Sequence, residues 1–252
     1  MMLQQIKAPK PDEAHLWFAG CEDFGQEALE TIFGWLPADE RLRHDQLHRS
    51  EDRRRYLIGR LLTRGLLSRY LRQDPRSLRF VHAEHGRPEL ARQRKSPSLN
   101  FNLSHALGMV ACCVTSGHSV GVDVEDLNRQ VAALPIATRF FAPIEAEDLR
   151  TRADDARQRR FFEYWTLKEA YVKARGQGLL IPLNQFWFLL NESSPRVAFD
   201  ARLHDDPTRW QFEYVEPTQR YLIGIAIRTL GHSRLRVVSR RWTPAGNEKN
   251  VR

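Results

Sequence analysis

Apolar positions along the chain alternate between runs that suit strands and spacings that suit helices. Leu16-Trp17-Phe18-Ala19 is a continuous apolar run closed by Gly20, which predicts a short buried strand. A helix is predicted over about 26–35, and a charged stretch from Asp39 to Arg55 leads into a longer one. There Leu57, Ile58, Leu61, Leu62, Leu66, Leu67, Tyr70 and Leu71 mark one buried face, with Arg53, Arg60 and Arg64 on the opposite side. Beyond Pro75 the runs shorten to strands at 78–81, 109–114 and 120–124, and loop signals lie at 85–88 and 100–108. Helical spacing returns over 131–141 and 144–150, with Pro143 between them. A longer helix covers 156–174 and stops at Gly176, a residue suited to a left-handed C-cap. Strands follow at 186–190, 210–215, 221–227 and 235–238.

Helices and strands therefore come twice in similar order. The pattern predicts an α+β chain of two comparable halves, 1–117 and 118–242, with a polar, frayed tail over 243–252. Hydrophobic residues make up 42% of the 252, with 13 Phe, 6 Trp and 6 Tyr, which excludes a disordered or collagen-like chain. No run approaches the ~20 apolar residues of a membrane-crossing helix. The first fifteen residues, MMLQQIKAPKPDEAH, have no apolar region of the kind a secretory signal carries. Lys and Arg number 39 against 31 Asp and Glu, a formal charge of +8, which points to an anionic partner, nucleic acid among them. Only six of the cations are lysines, so the pair Lys168 and Lys173 stands out in an arginine-rich chain. Cys21, Cys112 and Cys113 have neither metal-ligand spacing nor the numbers of a disulfide framework, so they read as reduced thiols in a cytoplasmic protein.

Four segments carry candidate chemistry. On a strand, Val120, Val122 and Val124 face the core while Asp123 and Glu125 project together from the other face. Gly121 lies on that same face and leaves room for a ligand. Two carboxylates on one strand face suit a hard divalent cation such as Mg²⁺; taken alone they equally suit a solvated strand face. In Trp165-Thr166-Leu167-Lys168-Glu169-Ala170-Tyr171-Val172-Lys173, Glu169 and Lys173 share a helix face and Lys168 lies about 100° away. That pair is either a surface Glu–Lys contact or a phosphate-binding and proton-donating lysine beside a carboxylate. Asn100-Phe101-Asn102-Leu103-Ser104-His105-Ala106 reads as a polar turn. Its adjacent Ser104 and His105 point apart and form no nucleophile–base pair, which leaves a phosphate-contacting loop as the functional reading. The arginines from Arg41 to Arg64 read mostly as a solvated helix face, with a few available to a phosphate. Arg175-Gly176-Gln177-Gly178 ends a helix instead of opening one and is no dinucleotide loop.

In order, G-R-P, F-N-L-S-H, G-V-D-V-E, R-F-F-x-x-x-E and W-T-L-K-E-A-Y-V-K resemble the 4′-phosphopantetheinyl transferase family, in the spacing of its larger, Sfp-type members. The resemblance spans about residues 43–190. It implies two similar α/β subdomains related by a pseudo-twofold axis, with coenzyme A and Mg²⁺ in the cleft between them. It also implies transfer of the phosphopantetheine arm to a serine of an apo carrier protein, with release of 3′,5′-ADP. By motif position Asp123, Glu125 and Glu169 would hold the metal. Arg87, Ser104 and His105 would contact the nucleotide and its phosphates, Arg43 and Arg55 the 3′-phosphate, and Lys173 the pyrophosphate. Lys168 joins the coenzyme-binding set. Glu169, directly or through a metal-bound water, is the candidate base and Lys173 the candidate acid. Glu145 matches a further acidic position of open role. Arg87 stands where many members carry Lys, and Tyr56 where a small hydroxyl residue is common.

The implied protein is a cytoplasmic monomer whose basic surface receives an acidic helix of an acyl or peptidyl carrier protein from a peptide, polyketide or siderophore synthetase. Two rivals rank below it. A basic nucleic-acid binder leaves Asp123 and Glu125 without a role. Another metal-dependent phosphate enzyme, a phosphatase or nuclease, needs an attacking water.

Overall fold

The apolar run near residue 17 is the middle strand of a five-stranded sheet. The computed structural model describes residues 6–82, 88–91, 98–190, 194–231, 233–244 and 249–250. It divides the chain into Met1–Gly117 with Arg236–Arg252 as one unit and His118–Leu235 as the other.

The first unit opens with β1 (Glu13–Gly20) and three helices, α1 (Gln26–Phe33), α2 (Ala38–Asp45) and α3 (Ser50–Arg60). A π-helical turn, Leu61–Gly65, joins α3 to α4 (Leu66–Leu71). The sequence explains that turn: Leu61 to Leu66 and Leu62 to Leu67 are steps of five, and one extra residue in the turn returns both later leucines to the buried face. The same insertion carries Arg64 inward. It is 3% exposed, where the periodicity placed it on the solvated side. After a short hairpin, β2 (Phe80–His82) with β3 (Pro88–Leu90), come β4 (Leu99–Ala106) and β5 (Met109–Ser116).

Segment 100–108 is therefore not a loop. β4 pairs antiparallel with β5 from Leu99↔Ser116 to Ala106↔Met109, and the turn needs only Leu107 and Gly108, the latter at φ +81°. Leu99 and Phe101 enter the core, but Asn102 and Ser104 are buried as well, and these polar residues disguised a strand.

The second unit begins with β6 (Ser119–Asp126), followed by α5 (Ala133–Phe140), α6 (Pro143–Arg150) and the 22-residue α7 (Asp154–Arg175). Gly176 caps α7 in the left-handed conformation, φ +69°. The hairpin of β7 (Phe186–Leu189) and β8 (Arg196–Phe199) precedes β9 (Trp210–Thr218) and β10 (Tyr221–Arg228). Strands β6, β10 and β9 form an antiparallel sheet in that order. α7 lies across β6 and β10 at a distance only glycine allows. A Cβ on Gly121 would stand 2.0 Å from the Ala170 carbonyl oxygen, and one on Gly224 would stand 2.9 Å from Thr166. Gly121 thus makes room for a helix backbone and not for a ligand. Phe161, Phe162, Leu167, Tyr171, Phe186 and Phe212 complete an aromatic core.

The chain then returns to the first unit. β11 (Arg236–Arg241) runs parallel to β1 from Glu13↔Arg236 to Phe18↔Arg241, and β12 (Lys249–Asn250) pairs with β11. The first sheet has the order β12-β11-β1-β5-β4. Residues 236–242, expected in the second half, belong to the first because β1 offers β11 a free edge opposite β5. The expected frayed tail, 243–252, contributes β12, and Trp242 just before it is buried.

Beside this junction Trp17 donates to the Tyr70 hydroxyl at 2.7 Å, and that hydroxyl lies 2.8 Å from His15 Nδ1. Burial first, then the charge of Arg240, pushes the His15 pKa down to about 4. The unfolded chain thus binds the extra proton between its ordinary value and 4, and stability is lost as pH falls through that window. His15→Gln is expected to flatten the dependence of the melting temperature on pH between 6.5 and 4; an unchanged slope would count against it. Gly121→Ala is expected to cost about 3 kcal/mol or more through overpacking, read as a large fall in Tm by circular dichroism, and a wild-type Tm would contradict the close approach.

Candidate active site

The contact between α7 and β6 in the second unit brings the sequence-predicted acidic residues together. Strand alternation buries Val120, Val122 and Val124 on one side and turns Asp123 and Glu125 toward the Gly121 side, where α7 lies. On α7, Glu169 and Lys173 are one turn apart. Lys173 Nζ donates to Asp123 Oδ1 at 2.6 Å and to the Val122 carbonyl at 3.2 Å. Burial, then the charge of Asp123, pushes the Glu125 carboxyl up to about 7, although Arg129 lies 3.0 Å away. The same two causes, in the same order, raise Glu169, while Lys173 pulls it back. Crowded carboxylates of this kind take up protons or a cation, and a carboxyl raised toward neutrality is suited to general-base work.

The oxygen donors of Asp123, Glu125 and Glu169 are the kind a hard divalent cation takes, and such an ion needs only one or two carboxylates beside waters and substrate phosphates. Among the described residues no three His, Cys, Asp or Glu side chains converge as metal ligands, and the Lys173 ammonium lies on Asp123 instead.

Lys168 takes a different path from Lys173 and is no coenzyme ligand in this structure. It is fully buried, donates to the carbonyls of Leu183 at 2.8 Å and Phe186 at 2.6 Å, and pairs with Glu145 at 2.7 Å. Its three donors are thereby engaged. Glu145 also accepts from the backbone of Phe188 at 3.0 Å and of Ala142 at 3.2 Å, so one carboxylate ties α6, β7 and α7. Burial pushes Lys168 down to about 8 and raises Glu145, while the pair attraction opposes both shifts. Glu145, whose role the sequence left open, is the partner that makes a buried lysine possible.

The first unit holds a cavity of about 870 Å³, lined by Arg43, Arg55, Tyr56, Arg60, Arg79 and His105 among others. That volume is in the range of cofactor sites. Arg43, Arg55 and His105 thus meet at one cavity. Ser104, the next residue of β4, is buried and points away from its neighbour. Arg87 lies outside the described residues. Sequence reasoning missed the organiser of this wall, Glu40. Its carboxylate accepts from Arg64 Nε at 2.7 Å, from Arg64 Nη2 at 3.0 Å and from Arg60 at 3.1 Å, while its carbonyl accepts from the Tyr56 hydroxyl at 3.2 Å. Arg55 pairs with Asp52 at 2.5 Å. Only the placement of Glu40 one helix before the arginines signalled it, and that spacing carries no motif.

Comparison with known proteins agrees with both units. A family model described as 4′-phosphopantetheinyl transferase superfamily matches residues 119–226, and one described as 4′-phosphopantetheinyl transferase, N-terminal, matches residues 25–116. The 4′-phosphopantetheinyl transferase HetI of Nostoc sp. is 33% identical over 91% of this chain and 97% of its own length. The chain belongs to the 4′-phosphopantetheinyl transferase family. Sfp of Bacillus subtilis is 30% identical over 72% of each chain, and ffp of Bacillus subtilis 30% over 80% of this chain and 87% of its own. This member of the family is accordingly a transferase, and among its described residues no helix is long and apolar enough to cross a membrane.

Lys168→Met in this transferase leaves Glu145 buried without its cation, an expected cost of about 3–5 kcal/mol. Adding Glu145→Leu is expected to recover part of that loss in urea unfolding; a double variant no more stable than the single one would contradict the coupling.

Proposed function

We infer that the chain transfers the 4′-phosphopantetheine arm of coenzyme A to a serine of an apo acyl or peptidyl carrier protein and releases 3′,5′-ADP, with Mg²⁺. The observation that carries this reading is the Asp123–Lys173 contact beside Glu125 and Glu169. In the reaction the serine oxygen bonds to the β-phosphorus of the coenzyme, the bridge from that phosphorus to the 5′-phosphate breaks, and the serine proton must leave. Positioning and electrostatic stabilisation are what a protein supplies to such a transfer.

Glu169, its carboxyl raised by burial and by Asp123, is the base that takes the serine proton. Lys173 is the cation placed for the pyrophosphate and, as acid, for the departing phosphate. Asp123, Glu125 and Glu169 would hold Mg²⁺, which supplies charge neutralisation on the pyrophosphate when bound. Arg43, Arg55 and His105, together with Ser104 and Arg87, are assigned to the nucleotide and its phosphates; the cavity of the first unit has the volume and cations for that. The pseudo-twofold relation of the halves belongs to the same proposal. So do the monomeric state, the cytoplasmic location, and an acidic carrier helix docking on a basic surface. Peptide, polyketide and siderophore synthetases are the source of carrier proteins this reading favours.

Mass spectrometry tests it directly. A panel of apo carrier proteins incubated with the enzyme, coenzyme A and Mg²⁺ is expected to gain one phosphopantetheine mass on at least one member, and Asp123→Ala is expected to lose most of that activity at any coenzyme concentration. A panel left unmodified would overturn the reading, and near-normal turnover by the variant would remove Asp123 from the site.

A further inference from the structure

Asp123 of β6 already holds a cation. Lys173 Nζ sits 2.6 Å from Asp123 Oδ1 and 3.2 Å from the Val122 carbonyl, with 27% of its side chain exposed against 8% for Asp123. A divalent ion such as Mg²⁺ takes carboxylate oxygen at roughly 2.0–2.1 Å. An ammonium hydrogen-bonded to that same oxygen would stand within a few ångströms of it, and two cations so close in a partly desolvated site repel strongly. Each therefore weakens the other's hold on Asp123.

The helix backbone cannot resolve the conflict by moving. Gly121 packs against the Ala170 carbonyl and the Ala174 amide, on either side of Lys173 in the sequence. Any displacement falls to the side chain, whose four-carbon stem and partial exposure permit it. Lys168 cannot substitute, because its three acceptors fix it in the core. Arg129 is paired with Glu125. A lysine is the cation suited to such an exchange: a compact point charge on a flexible stem, where the fork of an arginine would be held by its geometry.

We propose that Lys173 is a built-in counter-cation which competes with a divalent ion for Asp123, and that its ammonium passes to the phosphates of the incoming coenzyme when the ion binds, so that metal and coenzyme bind with positive coupling. This rests on the metal assignment made under Proposed function. Linkage requires the coupling to be reciprocal: the coenzyme raises metal affinity by the factor by which the metal raises coenzyme affinity.

The test is Mn²⁺ binding to the full chain, measured from the free-ion electron paramagnetic resonance signal without carrier protein, with and without coenzyme A. Wild type is expected to bind Mn²⁺ weakly alone and more tightly with coenzyme A. Lys173→Met is expected to bind Mn²⁺ alone roughly tenfold or more tightly than wild type, with coenzyme A adding little further. Lys173→Gln, which keeps a donor for Asp123 but no charge, is expected to shift in the same direction and guards against a folding defect in the first variant; melting curves check both. Mn²⁺ affinity unchanged or weakened in both variants, while Asp123→Asn abolishes binding, would overturn the exchange and leave the metal assignment intact. Wild-type affinity in Asp123→Asn would overturn the metal assignment, and the exchange with it.

Discussion

Helix α7 touches its sheet at the closest distance a polypeptide permits, and the chemistry of the second unit follows from that contact. Because Gly121 and Gly224 carry no Cβ, the backbone at Ala170, Ala174 and Thr166 rests directly on β6 and β10. A larger residue at either position would lift the helix off the strands. Strand alternation then places Asp123 and Glu125 on the side the helix covers, and the helical repeat places Glu169 and Lys173 against them. The carboxylates are crowded because backbone packing crowds them, and their raised proton affinities are a consequence of that crowding.

The two lysines of α7 show how one helix serves structure and chemistry together. About 100° separates successive residues, so five residues on from Lys168, Lys173 faces a different neighbour. Lys168 enters the core, where Glu145 and two carbonyls replace all the water it loses, and the aromatic face of Phe186 lies 4.3 Å from its ammonium. A buried pair of this sort adds little net stability over a hydrophobic alternative, but breaking it is costly. It therefore pins α7 in one axial rotation. Lys173, on the partly exposed side, donates to Asp123 and to the Val122 carbonyl. Fixed rotation at one lysine is what gives the other a defined neighbour in Asp123.

Legibility from sequence followed how far each feature depends on local pattern. α7 and its glycine cap, the alternation of β6, and the placement of Glu169 and Lys173 one turn apart on α7 all depend on residues close in sequence, and they were readable. Segment 99–106 was not, because its Asn100, Asn102 and Ser104 are residues that favour turns, and they masked the alternation of Leu99, Phe101 and Leu103. Arg64 was placed on the wrong side because a π turn changes the period within a single helix, and nothing but the step of five between leucines records it. Gly121 was read as space for a ligand, since a lone strand does not reveal which element covers its face. The return of β11 to β1 links residues more than 200 apart and has no local signature.

Net charge was the least specific of the signals, and the structure shows why. Arg60 and Arg64 spend their charge on Glu40, Arg220 on Asp126, and Arg175 on Asp205. An arginine held by a carboxylate and fixed carbonyls is a strut. It shapes a cavity wall and orients its neighbours, but presents little field to an incoming anion. Arg43, exposed where it lines the first unit's cavity, and Lys173, partly exposed at Asp123, are cations that a phosphate can reach. Anion binding by this fold therefore depends on where compensation is incomplete or exchangeable. The excess of +8 over the whole chain does not measure that quantity, and a homologous chain of lower net charge with the same local arrangement would bind as well.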